Sequence, residues 1–329
     1  MNTDVTGNDL PATDAKPRMH LPQVAYVGAA TVVLVAIGGF LAPQSVSASA
    51  FLTLLPFMSI LGVAAIGQHL VVQQRGFDIS VAGIISLSAV IVTNYAERGA
   101  GAGPIVIAVL LALAAGAGTG AINGFFVTLL RVPPLVTTIG INALAIGVTV
   151  HISGGVPRAV PDALAGLALG RTLGVPNTFI VMLVVAAIVI FIERRTVIGR
   201  QFIAIGTNPA AARALGVRVT AYSWLTYTAA GLFFALAGVM LSGFVSVPTI
   251  MSGNEYMLST VAAVVVGGNA LTGGRASIPA TIVGAFFLTY LGQLVLSVGF
   301  ERAVQDVVKA AIIILGVALP GIVRRLRNS

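Results

Sequence analysis

Long apolar runs that recur with almost no charge inside them constrain this chain more than any other feature. The hydrocarbon core of a bilayer is about 30 Å thick, so a spanning helix needs about 20 mostly apolar residues. Runs that could span or enter the bilayer fall at residues 22–42, 50–72, 80–95, 104–130, 135–152, 175–192, 221–243, 256–267, 278–298 and 304–323. Hydrophobic residues make up 57% of the chain and charged residues 9%, against roughly 25% charged in a soluble protein. A surface that poor in charge cannot face water. The expectation is an all-α integral membrane protein of about ten transmembrane or membrane-entering helices, with one permeation-sized domain over 22–323.

The flanks differ. Residues 1–21 are polar, carry Pro11 and Pro17, and lack the basic start and early apolar core of a cleaved signal; they read as a disordered cytosolic tail. Residues 324–329 form a basic C-terminus. The net charge of +8 does not point to nucleic acid, because the basic residues are scattered between apolar runs with no basic stripe interleaved with aromatics. Their distribution instead sets the topology. With the N-terminus inside and every run crossing, the inside loops hold Lys16, Arg18, Arg75, Arg131, Arg194, Arg195, Arg200, Arg213, Arg218, Arg275, Arg324, Arg325 and Arg327. The outside loops hold only Arg98, Arg158, Arg171 and Arg302, the asymmetry of the positive-inside rule. Both termini are then cytoplasmic.

The third and eighth runs are short, and each adjoins a glycine-rich break. Gly76-Phe77-Asp78-Ile79-Ser80-Val81-Ala82-Gly83 lies beside one, and Gly267-Gly268-Asn269-Ala270-Leu271-Thr272-Gly273-Gly274 beside the other. Paired broken segments in two halves fit a five-plus-five inverted repeat around a transport pathway. Glycines that merely let helices approach closely are the competing reading. Gly267, Gly268, Gly273 and Gly274 are expected to supply close backbone approach or positive φ, and Asp78 and Ser80 to belong to the same pathway-forming motif.

The longest inside loop, 193–220, carries its own start and stop signals. Asn208 can cap a helix whose first residue is Pro209, where a missing N–H does no harm. Alanines through Ala211 and Ala212, with Arg213, propagate it, and Gly216 supplies a left-handed stop. A helix resting on lipid headgroups is the alternative, but alanine partitions weakly, so a protein-docking helix fits better.

The stretch from Gly199 through Gly206, Thr207, Asn208 and Pro209 to Val217 closely resembles the cytoplasmic loop of bacterial sugar ABC permeases of the ribose/xylose/arabinose type. Residues 76–81 resemble that family's Gly-Ile-Asp-Leu-Ser-Val signature. Residues 264–275 resemble its Gly-Gly…Leu-Ser-Gly-Gly-Arg-Gly block. Gln305 and Lys309 fall where the family often has Gln and Lys, and the resemblance runs from about Phe51 to the C-terminus. Arg75 departs from the usual small residue, Ala82 interrupts Ser-Val-Gly, and Ala276 replaces a glycine. The resemblance implies a permease in a bacterial cytoplasmic membrane, with a second permease subunit, a pair of ABC ATPase subunits and an extracytoplasmic sugar-binding protein as partners. It places ATP and Mg²⁺ on the ATPase chains and no cofactor on this one. Gly206, Asn208, Pro209, Ala211, Arg213 and Gly216 would form the ATPase-coupling helix.

Enzyme signatures are missing independently. No phosphate-binding Gly-x-x-x-x-Gly-Lys-Ser/Thr loop exists, and the only lysines are Lys16 and Lys309. His20, His69 and His151 lack metal-ligand spacing, cysteine is absent, and no Gly-x-Ser-x-Gly or paired carboxylates occur. Asp78 is expected to sit near a membrane edge with Arg75 as local partner. Glu301, Arg302, Asp306 and Lys309 are expected to form a ladder at the start of the last run. Sugar recognition needs neutral hydrogen-bonding groups, for which Asn94, Asn123, Thr138, Asn142 and Gln293 are candidates. An ion-coupled secondary transporter remains the alternative, with Asp78 its one suitable midplane group.

Overall fold

The computed structural model describes residues 23–97, 99–274, 276–312 and 314. The N-terminal tail, Arg98, Arg275, half of the tenth run and the basic C-terminus lie outside the described residues. The helices are α1 (Gln23–Leu41), α2 (Ala48–Gln73), α3 (Val81–Tyr95), α4 (Ala102–Gly124), α5 (Pro134–Ser153), α6 (Asp162–Leu169), α7 (Asn177–Arg195), α8 (Val197–Thr207), α9 (Pro209–Ala214), α10 (Val219–Val245), α11 (Asn254–Val266) and α12 (Ile278–Ser297). A further helix, α13, occupies 302–312. Nine of the ten apolar runs thus become α1–α5, α7 and α10–α12, and α13 opens the tenth. Seven of these helices are long and apolar enough to cross a membrane, whereas α3 and α11 are shorter.

Two regions differ from the sequence reading. Between α5 and α7 the chain inserts the eight-residue α6 and a minimal hairpin, β1 (Arg171–Thr172) against β2 (Val175–Pro176). Leu173 and Gly174 both take positive φ, the geometry a two-residue hairpin turn requires. The long inside loop is also mostly helical: α7 continues to Arg195, and α8 fills what reads as coil. The expectation missed α8 because Gly199, Gly206 and several β-branched residues depress its intrinsic propensity. Gly199 is there for the corner, where a Cβ would lie 2.2 Å from the Glu193 carbonyl oxygen. Thr196 caps the new helix by accepting from Gly199 N–H at 3.1 Å.

The bundle is organised around α2, α3, α10, α11 and α12, whose inward faces supply most of the main core cluster, including Ile60, Ile84, Phe234, Leu288 and Tyr290. In lipid, helix association depends on close packing, because lipid tails are as apolar as leucine. The α4–α10 contact shows how the sequence arranges this. Gly116, Gly120 and Gly124 recur every fourth residue and therefore line one face of α4. Cβ atoms there would sit 2.6 Å from Gly231 O, 2.2 Å from Tyr227 O and 2.8 Å from Trp224 O. The two backbones touch where side chains are missing. By contrast α1, α4 and α5 turn Val32, Phe40, Ile107, Leu110, Val136 and Leu144 outward, as lipid-facing surfaces should.

Candidate functional site

Three regions gather the residues singled out by sequence. The first is the helical connector α8–α9. Asn208 takes extended backbone angles, and its Oδ1 accepts from the N–H groups of Ala210 and Ala211, both at 3.1 Å. Pro209 is the first helical residue, and Gly216 closes the helix with φ +81°. One face of this helix packs inward through Ala212 against Ile205 and Val219. Ala211 and Leu215, one turn apart, are exposed on its outer side, the latter 82% exposed, and Arg213 is exposed on another side of the short helix. Leu215 was not singled out by sequence; its signal is its place one turn after Ala211 at the end of an alanine helix.

The connector is bolted to the end of α2. Gly206 abuts the Gln73 carbonyl so closely that a Cβ would lie 2.4 Å from its oxygen. Gln74 Nε2 donates to Phe202 O at 2.6 Å, and Gln73 Nε2 donates to Glu193 Oε1 at 2.9 Å. Arg75 adopts φ +64°, and its guanidinium crosses to the C-terminal carbonyls of α8, donating from Nε to Gly206 O at 3.1 Å and from Nη2 to Thr207 O at 2.7 Å. Those carbonyls are unsatisfied within the helix and carry the negative end of its dipole, so a cation is well placed there. The Arg75–Asp78 pairing read from sequence is therefore corrected: three-residue spacing pairs side chains on a helix, and here the chain is not helical.

The glycine-rich block reaches the same junction. Gly274 N–H donates to Gln73 O at 3.2 Å, and a Cβ on Gly273 would fall 2.2 Å from Arg75 Cγ. Gly268, Gly273 and Gly274 all have positive φ, while Gly267 lies against the Ala280 carbonyl, where a Cβ would meet oxygen at 2.8 Å. Asn269, which sequence did not mark, holds the block together. Its Nδ2 donates to Val264 O and Thr281 Oγ1, each at 3.0 Å, and its Oδ1 accepts from Ser277 N–H at 2.7 Å. His69 Nδ1 joins Thr281 Oγ1 at 2.8 Å. The two glycine-rich breaks thus meet at one end of the bundle. The segment facing 74–80 from the opposite end is 246–253, whose Gly253 N–H donates to Ser86 Oγ at 3.0 Å.

This meeting defines the second region. A helix of 15 residues such as α3 is only about 22 Å long, and α11 with 13 residues about 20 Å. Irregular backbone completes each crossing, and at depth its polar groups need partners within the protein. Asp78 and Ser80 are fully buried within the protein. Asp78 Oδ1 accepts from Ser80 N–H at 2.8 Å and Ser80 Oγ at 2.6 Å. Ile79 N–H donates to Thr138 Oγ1 at 3.1 Å, Gly83 N–H to Asn142 Oδ1 at 2.7 Å, and Asn123 Nδ2 to Ser80 Oγ at 2.7 Å. Three of the neutral candidates therefore converge on one broken segment, Thr138 and Asn142 holding its backbone and Asn123 the Ser80 hydroxyl. Asn94 instead donates to Val90 O of its own helix at 2.9 Å.

That arrangement separates two roles by experiment. Asn142→Leu leaves the Gly83 N–H buried without a partner, which costs about 1–3 kcal/mol. The expected result is a lowered unfolding temperature in detergent with the solute KM of transport unchanged; a raised KM at unchanged stability would place Asn142 on the solute path instead.

The third region is a cavity of about 600 Å³ between α2, α11, α12 and α13, at the end of the bundle opposite the connector. Gln293 lines it with Thr53, Tyr256, Thr289, Gln305 and Lys309. Arg302 crosses its rim to form an ion pair with Glu255 of α11, so the ladder expected within 301–309 is replaced, for Arg302, by a bond between helices. Gly292 makes room for Gln305, whose Nε2 would lie 2.2 Å from a Cβ there. Among the described residues no group of three His, Cys, Asp or Glu side chains could hold a metal ion.

These features match a known family. The ribose import permease protein RbsC of Escherichia coli is 31% identical over 293 residues, covering 88% of this chain and 90% of its own length. Its counterpart in Bacillus subtilis is 32% identical over 87% of this chain and 89% of its own. The autoinducer 2 import system permease protein LsrC of Yersinia pseudotuberculosis is 31% identical over 88% and 81%. No solved structure matches. The family described as the branched-chain amino acid transport system permease component matches residues 50–317. With that span matched and apolar helices long enough to cross a bilayer several times, the chain is a multi-pass membrane protein and belongs to this ABC permease family.

Proposed function

We propose that this chain is the membrane-spanning subunit of an ATP-driven importer that carries a monosaccharide or a close chemical relative into a bacterial cell. The observation that carries the reading is similarity along nearly the whole of both chains to relatives named ribose import permeases. The name of the matching family, for branched-chain amino acids, supplies the competing substrate class. Gln293, Thr289 and Gln305 in the outer cavity can hydrogen-bond a polyhydroxylated solute, while Glu255, Arg302 and Lys309 line the same cavity, so the lining alone does not choose between the two classes and the similarity to the named relatives carries the reading.

In this reading two permease subunits form the pathway, ATPase subunits bind ATP and Mg²⁺ on the cytoplasmic side, and an extracytoplasmic binding protein delivers the solute. Both termini are cytoplasmic. ATP binding draws the ATPases together, α9 moves with them, and the α8–α2 junction transmits that movement to the broken segment at 74–80. The test is reconstitution of the permease with the ATPase and binding protein encoded beside it, assayed for ATP hydrolysis across pentoses, hexoses, an autoinducer-2-type sugar and branched-chain amino acids. Stimulation by at least one sugar and by none of the amino acids is expected. Stimulation by leucine or valine alone would overturn the assignment of substrate class.

A further inference from the structure

The connector has a second neighbour besides any ATPase. A groove of about 650 Å³ lies between the end of α4 and the start of α10, lined by Phe125, Leu129, Val217, Trp224, Arg213 and Arg218. One wall continues the outward surface of α4: Phe125 is 44% and Leu129 53% exposed, and both belong to a five-residue π-helical turn that widens the helix end. The other wall is cationic. Arg213 and Arg218 are exposed, and neither has an acidic partner among the described residues. Trp224 stands between the walls, with its indole N–H fixed on Ala121 O at 2.9 Å. A groove apolar along a lipid-facing helix, doubly cationic at its mouth and lined by tryptophan has the chemistry of a headgroup site, with acyl chain against phenylalanine and leucine and phosphate against the guanidinium groups.

We propose that this groove binds one anionic phospholipid of the cytoplasmic leaflet, and that the lipid bridges the end of α4 to the α9–α10 corner, steadying the coupling helix. The inference rests on the inside placement of the connector but not on the identity of the transported solute. A protein occupant is less well matched, because the apolar wall is continuous with the membrane-facing surface of α4. Zwitterionic lipid offers the same phosphate but adds a quaternary ammonium whose positive charge opposes the two guanidinium groups.

Trp224 is the only tryptophan in the sequence, so the groove contains its own reporter. The full chain would be placed in phosphatidylcholine nanodiscs containing graded fractions of brominated phosphatidylglycerol or brominated phosphatidylcholine, and quenching of Trp224 measured. Brominated phosphatidylglycerol is expected to quench at roughly fivefold lower mole fraction for each arginine engaged. Arg218→Gln should remove most of that preference, and raising the salt should weaken it. Glycerol 3-phosphate should not displace the lipid, which distinguishes a lipid site from a site for a free phosphate. Arg200→Gln, which removes an exposed charge on α8 outside the groove, should leave the preference intact. Equal quenching by the two lipids, loss of the preference in both variants alike, or displacement by glycerol 3-phosphate would each overturn the proposal. Because the readout is lipid contact, it stands or falls independently of whether any sugar stimulates the transporter.

Discussion

Arg75→Ala is expected to leave the permease inserted and assembled with its ATPase yet to lower solute transport per ATP hydrolysed by about tenfold or more. Alongside Gln74, which bonds the Phe202 carbonyl within α8, the Arg75 guanidinium leaves the 74–80 break and grips the last carbonyls of α8, where the proposed coupling helix begins. Hydrogen bonds from a charged donor to carbonyls contribute roughly 1.5–3 kcal/mol in protected sites. Arg75 is exposed on one side, so the lower part of that range applies. Coupling energies of about 1–3 kcal/mol correspond to changes of roughly five- to 150-fold, so losing this link falls within the range that abolishes efficient coupling. The positive φ at Arg75 supplies a control. Arg75→Gly relieves the left-handed backbone but also removes the bonds, and Arg75→Lys keeps charge without the planar fork. If the guanidinium carries the link, glycine should fail as alanine does and lysine should recover only part of the coupling. Normal transport per ATP in Arg75→Gly would show that backbone conformation, not the bonds, matters at this position.

The membrane class was legible because the signal is repeated: each apolar run has to satisfy the same bilayer thickness, so ten runs test one hypothesis many times. The start and stop of α9 were also legible, since Asn208, Pro209 and Gly216 act through local backbone geometry that needs no tertiary partner. What could not be read was which side chain meets which across long distances in sequence. Arg75 looks like a partner for Asp78 three residues on, yet it serves carbonyls some 131 and 132 residues away. The same limit hid α8, whose helicity comes from packing at the α2 junction rather than from propensity.

Thr138, Asn142 and Asn123 illustrate a further limit. In an apolar sequence a scattered amide or hydroxyl invites assignment to a solute pathway. The same residues are also what an interrupted helix needs to keep its N–H and hydroxyl groups paired in a dry interior, and sequence cannot distinguish the two uses. Gln293 differs, because it lines a cavity open to one end of the bundle, and among the described residues no hydrogen bond claims its side chain.

Coupling to the ATPase should fail most completely at Ala211. Its neighbour Ala212 is turned into the protein, while Ala211 faces out with Leu215 one turn on, so a bulky substitution there changes the proposed docking face without disturbing the core. Asn208 still caps the helix in such a variant, because the cap uses the backbone N–H of residue 211 and not its side chain. Ala211→Trp is therefore expected to insert and fold normally, to lose co-purifying ATPase, and to lower solute-stimulated hydrolysis roughly thirtyfold or more, the loss that follows when about 2 kcal/mol is removed from the centre of an interface. Leu215→Ala should weaken the same contact, since a leucine so exposed on a short helix gains burial only from a partner. Gly216→Val acts on the stop: its φ of +81° is poorly tolerated by a β-branched residue, so the end of α9 should rearrange and coupling fall with the docking face chemically intact. Co-purification and hydrolysis measured together separate these cases. An Ala211→Trp transporter that retains both its ATPase and full stimulation would show that the ATPase docks elsewhere than on α9.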